Sequence, residues 1–152
     1  MQKVIISDTS CLLLLEKLGA LDLLKKLFGT ITITPEVGKE FNIKLPEWFE
    51  LSQPENKMYQ KILEASLDKG EASAIALAIE HKDCLLIIDE LKARKYAELL
   101  GLKITETLGV LIDAKLSGHL KSIRPLLDRI RTTNFRLSKE LEQKALEKSG
   151  EM

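Results

Sequence analysis

The sequence predicts an α/β protein: a central parallel sheet with helices on both faces. Short apolar or β-branched runs alternate with stretches of helical period along most of the chain, the pattern of strand–helix units. One run, Cys84 to Ile88, is apolar without a break, as expected of a strand buried on both faces. The chain has 152 residues, which suits one domain with a sizeable core. We therefore expect a single domain over residues 1–152.

The elements follow in order. Val4–Ile6 is a β-branched run ended by Ser7 and Asp8, hence a buried strand. From Ser10 onward, Leu13, Leu14, Leu18, Leu21, Leu24 and Leu27 keep a helical period, with Gly19 a point of interruption. Ile31 and Ile33 alternate with threonine and form a second strand. Thr34-Pro35-Glu36 opens a helix: Thr caps it, Pro fits its first turn, and Glu meets the positive end of its dipole. Pro46 and Pro54 enclose a short irregular or extended piece around Trp48–Leu51. Lys57–Leu67 is helical, and Gly70 precedes an Ala-rich helix from Glu71 to about His81. Strand Cys84–Ile88 is followed by helix Leu91–Leu100, closed by Gly101, and by a last short strand, Leu102–Thr105. Thr107–Leu116 and Ser122–Thr132 are helical, and Ser138 caps a polar helix ending near Gly150. Residues from about 118 to 152 hold no strand. They form a helical extension, packed on the sheet domain or offered to a partner.

Composition excludes several classes. Apolar residues make up 45% and charged residues 30%, ordinary globular usage rather than disorder, collagen or coiled coil. The early apolar run Cys11–Leu15 is far short of the roughly 20 residues that span a bilayer. Ser7 and Asp8 break the first apolar stretch, so no signal peptide is expected. Two cysteines, Cys11 and Cys84, cannot form a disulfide framework and are expected in the core. A cytoplasmic protein without membrane attachment is the expectation. Formal net charge is zero, but residues 1–91 carry net −5 and residues 92–136 net +6. Any nucleic-acid binding must therefore come from a local patch.

Two strands end alike, in Asp8 and in Asp89. In a parallel sheet both carboxylates reach the carboxyl edge, where open α/β sheets bind ligands. Glu40, one turn after Glu36, and Glu71, at the start of its helix, are candidates to join them. Carboxylates crowded at one edge repel one another unless a cation neutralises them. Oxygen donors with no His or Cys nearby suit magnesium or manganese rather than zinc. His81 and His119 lie at helix ends without metal-ligand spacing and are expected at the surface. Thr9 and Ser10 follow Asp8; either hydroxyl can cap the next helix, and Ser10 is favoured to hold a water or a phosphate oxygen as well.

The segments VIISDTSCLLLLEKLGALDLL, ITPEVGKEF, LDKGEASAIALA, CLLIIDELKARKYAELLGLKITETLGVL and FRLSKELEQKALEKSGE together resemble a PIN-domain protein of the toxin-like (VapC-like) branch. They span almost the whole chain in the family's order. The resemblance implies a three-layer α/β/α fold and a ribonuclease that uses Mg2+ or Mn2+ to hydrolyse RNA phosphodiester bonds. It implies that Asp8, Glu40, Glu71 and Asp89 are the catalytic, metal-binding acids, with Ser10 as supporting hydroxyl. Lys92, Arg94 and Lys95, just past Asp89, are candidate phosphate contacts. A homodimer held inactive by a small antitoxin protein is implied too, with helix 138–148 available for either contact. Two positions depart from the pattern. Many relatives carry aspartate at the position of Glu71, and many carry another aspartate where this chain has Leu91.

Other readings are weaker. A haloacid-dehalogenase-type phosphatase needs an acid at the position of Ser10, and a receiver domain needs an acid pair where Ser7 precedes Asp8. The serious alternative is a catalytically weak PIN scaffold that binds RNA or a protein partner, and Leu91 and Glu71 are the residues that favour it.

Overall fold

A computed structural model describes residues 3–152. The expected span of 1–152 thus includes Met1 and Gln2, which lie outside the described residues. Five strands, β1 (Val4–Ser7), β2 (Ile31–Ile33), β3 (Phe49–Leu51), β4 (Cys84–Ile87) and β5 (Lys103–Thr105), pair in parallel in the order β3-β2-β1-β4-β5. The chain builds outward from β1 through β2 to β3, then returns to the other side of β1 with β4. The gap beyond β1 and β4 is therefore a topological switch point, where ligands of open α/β sheets bind. The register aligns Ser7 with Ile87, so the residues just after both strands reach the same edge.

Nine helices among the described residues cover both faces: α1 (Thr9–Lys17), α2 (Asp22–Phe28), α3 (Pro35–Phe41), α4 (Lys57–Leu63), α5 (Lys69–Ile79), α6 (Leu91–Leu99), α7 (Thr107–Leu116), α8 (Arg124–Ile130) and α9 (Lys139–Lys148). Strand alternation divides the core in two. Ile5 and Ile87 point into one layer with Leu12, Leu15, Leu24 and Leu111; Ile6, Leu86 and Ile88 point into the other with Ile75, Leu77 and Ala93. The sheet is thus the middle of a three-layer α/β/α sandwich, as the sequence predicts.

The local differences have simple causes. Gly19 adopts φ +66°, a left-handed turn that ends α1 and separates it from α2, so the leucine-rich stretch takes its interrupted form. The piece around Trp48–Leu51 pairs with β2 as edge strand β3. The Ala-rich helix begins two residues earlier than expected. Asp68 caps it, accepting the Glu71 N–H at 2.8 Å, so Glu71 is the third helical residue rather than the first.

The C-terminal extension uses its apolar faces internally. Ile123, Leu126, Leu127 and Ile130 of the α8 region and Ala145 and Leu146 of α9 join the core layer that holds α1, α2 and α7. Helix α8 has no side-chain cap of its own. Glu151 supplies one from the far end of the chain, accepting the Ile123 N–H at 2.7 Å and the Ser122 hydroxyl at 2.5 Å. Among the described residues, no helix is long and apolar enough to cross a membrane.

Candidate active site

Asp8 sits at the end of the central strand and is 1% exposed. Its Oδ1 accepts the Cys11 N–H at 3.0 Å and so caps α1. Its Oδ2 accepts the Asp89 N–H at 3.0 Å. The two strand-end acids are therefore tied together, and the tie depends on the β1–β4 register. Asp89 is gripped in turn by Thr107 at the head of α7, whose N–H and hydroxyl donate to its two oxygens at 2.7 and 2.6 Å.

Glu40 reaches the same edge from α3. The Thr9 hydroxyl donates to its Oε1 at 2.5 Å. Its carboxylate lies directly over Gly70, where any Cβ would collide with it. Gly70 is thus a notch in the first turn of α5 that lets Glu40 approach. Beneath it, the Thr34 and Ser73 hydroxyls pair at 2.6 Å and fix α3 against α5. Glu71 follows Gly70 and is half-buried.

The electrostatics agree with the geometry. Burial, then the charge of Asp89, pushes the Asp8 carboxyl well above its usual range, against the pull of the Cys11 and Asp89 N–H groups. Burial also raises Asp89, although the Thr107 hydroxyl and N–H oppose it. Glu71 is pushed up to about 7 by burial, then by the charges of Asp68 and Glu90, with Glu40 adding to the same effect. The edge therefore gathers negative charge faster than its own cations offset it. Arg94 is the cation that acts on Asp89, and it already pairs with Glu106 at 2.8 Å.

Several expected residues stand differently from the way their spacing suggests. Ser10 is exposed on α1 in the groove beside Asp89, and the hydroxyl that touches an acid is that of Thr9. Arg94 is committed to Glu106, while Lys92 and Lys95 are exposed and lie outside that groove. Glu90, the nearest substitute for an acid at Leu91, caps α6 by accepting the Ala93 N–H. Leu91 itself is 61% exposed. The expectation that no cysteine lies near the acids needs correction. Cys11 is fully buried beside them, and burial together with the charges of Asp89 and Asp8 raises its thiol well above the usual range. Thr107 was missed altogether. The only trace of it in the sequence is a hydroxyl residue just after the last strand, mirroring Thr9 after the first.

The donor chemistry suits a hard divalent cation: buried Asp8 and part-buried Asp89 lie side by side, and both carboxyls have raised proton affinity. Among the described residues, no three His, Cys, Asp or Glu side chains form a ready ligand group.

No curated protein sequence matches the chain. A sequence model of a family described as a PIN domain, DUF3368, matches residues 4–151. PIN domains are generally nucleases, and they generally use divalent metal ions. With that match running from β1 to the residues after α9, the chain belongs to the PIN-domain family.

Proposed function

We propose that this protein is a ribonuclease that depends on Mg2+ or Mn2+ and hydrolyses RNA phosphodiester bonds at the edge formed by Asp8, Asp89, Glu71 and Glu40. The observation that carries the reading is the Asp8–Asp89 pair: a buried and a part-buried carboxylate, tied by a hydrogen bond at the switch point, both with raised proton affinity. Asp8 and Asp89, with Glu71 and Glu40, would hold the divalent ion, whose chemistry there would be Lewis-acid activation of the phosphodiester toward water. The chain's own groups do the positioning. Cys11 N–H and Thr107 fix the two aspartates, Thr9 fixes Glu40, and Gly70 leaves room for it.

The toxin role, with a small antitoxin protein as inhibitor, a homodimer and a cytoplasmic site of action, rests on the resemblance of the segments alone. Expression in a host cell tests it: growth arrest that a neighbouring short reading frame relieves supports it, and unimpaired growth opposes it. The second reading, a catalytically weak scaffold binding RNA or protein, is favoured by the lack of a ready three-acid group among the described residues and by the exposed Leu91. A labelled oligoribonucleotide incubated with Mn2+ or with EDTA separates the two. Cleavage in Mn2+ that stops in EDTA supports the nuclease; binding without cleavage in both supports the scaffold.

Gly70→Ala gives a separate check on Glu40. Alanine improves helix propensity by up to about 1 kcal/mol, which offsets the displacement of a flexible side chain. The melting temperature is expected to stay within about 4 °C of wild type. Cleavage is expected to fall roughly tenfold, about 1.4 kcal/mol in the barrier, because Glu40 leaves the edge and its Thr9 bond breaks. Unchanged cleavage would remove Glu40 from the site.

A further inference from the structure

A groove of about 850 Å³ leads away from Asp89 and Glu90 along α1 to the segment that joins α8 to α9. The far wall brings together Lys17, at the end of α1, and Arg136, in that joining segment. Both are exposed, and neither forms a salt bridge among the described residues. In the same groove Phe135 is half-buried against the core, and Leu13 and Leu91 extend the apolar lining. Asn134 adds an exposed amide.

This wall is built in advance. The Thr133 hydroxyl donates to the Ile130 carbonyl at 2.6 Å and accepts the Phe135 N–H at 3.1 Å. Arg129 of α8 donates to the Lys17 carbonyl at 3.3 Å, which ties the end of α1 to α8 just before the segment. The groove thus has an acidic end at the site and a basic, partly aromatic end beyond it.

We infer that this groove is the track for the single-stranded RNA flanking the scissile phosphate, with Lys17 and Arg136 on backbone phosphates and Phe135 against a base. The inference rests on the nuclease reading. Cations and an aromatic face lining one groove suit unpaired nucleotides, which present both phosphate and an open ring. A duplex keeps its bases stacked inside and offers such a recess only phosphate and sugar. The net-neutral chain needs a local basic patch to bind RNA, and this one adjoins the acids, whereas Lys92 and Lys95 stand outside the groove.

Steady-state cleavage of a labelled 12-nucleotide single-stranded RNA in Mn2+ tests this. Wild type is compared with Lys17→Ala, Arg136→Ala, the double variant, and Lys82→Ala as a charge control at the opposite edge of the sheet. The double variant is expected to raise KM roughly tenfold, and to lower the slope of log(kcat/KM) against log salt by about 1.4, or about 0.7 per phosphate contact on a single strand. Lys82→Ala should match wild type. Phe135→Leu keeps the wall apolar and should lower kcat/KM at least about fivefold through lost stacking. The same RNA annealed to its complement should be cleaved at least tenfold less efficiently. An unchanged KM and salt slope in the double variant, or equal cleavage of the duplex, would overturn the track while leaving the nuclease intact. A wild-type protein that cleaves neither RNA would overturn both.

Discussion

Asp8→Asn is expected to lower divalent-cation-dependent RNA cleavage by roughly a thousandfold, the equivalent of about 4 kcal/mol of transition-state stabilisation. The substitution removes one negative charge from the centre of the edge and changes little else in shape. An asparagine oxygen still accepts the Cys11 N–H and keeps the α1 cap. Its amide then faces the Asp89 N–H, donor against donor, and leaves that buried N–H without an acceptor. Such a loss costs about 1–3 kcal/mol, offset in part by relief of the Asp8–Asp89 repulsion. The protein should therefore fold, as circular dichroism and a thermal melt would show, while gel-resolved RNA cleavage falls to background. Calorimetry should show weakened Mn2+ binding in parallel. A variant that retains a tenth or more of wild-type cleavage would mean that Asp8 serves the fold alone.

The second large effect is on stability, and it depends on pH. Glu71 has a folded-state value of about 7 against 4.5 for the free side chain. The folded protein binds this proton more tightly than the unfolded chain. The associated stability is thus fully present below pH 4.5 and is lost as pH rises through about 7. Asp8 and Asp89 are displaced in the same direction. In EDTA, wild type should be less stable at pH 8 than at pH 5, and Glu71→Gln should lack this part of the slope. Because Glu71 is half-exposed, solvent screening reduces the difference between the two proteins to about 1 kcal/mol. That is about 2–4 °C in melting temperature for a chain of this size. Mn2+ at a hundredfold excess over its dissociation constant should then raise the wild-type stability at pH 8 by about 2.7 kcal/mol. The same addition should do far less for Asp8→Asn. Parallel pH profiles for wild type and Glu71→Gln would show that Glu71 is not under the strain its surroundings imply.

These effects follow from how the edge is assembled. Asp89 is held by a residue from the next strand–helix junction, Thr107, and Asp8 by the first turn of its own helix. Mutual repulsion within the cluster is offset by first-turn N–H groups: Cys11 of α1 donates to Asp8 and Thr107 of α7 to Asp89.

The sequence by itself determined the strand-and-helix order, the caps at Thr34 and Ser138, and the arrival of Asp8 and Asp89 at one edge. Each of these is set by neighbours a few residues away or by the periodicity of apolar side chains, which local physics makes readable. Only the tertiary structure decided that Thr9 rather than Ser10 meets Glu40, and that Gly70 is the notch beneath it. It also decided that Thr107 grips Asp89, that Cys11 lies beside the acids, and that Arg94 is taken by Glu106. The same holds for the tail, whose apolar positions close a core layer while Phe135 and Arg136 meet Lys17 across a groove. Apart from the Cys11–Asp8 contact, these join residues far apart in the chain. Their contacts depend on helix packing and side-chain direction, which no spacing within a single segment encodes.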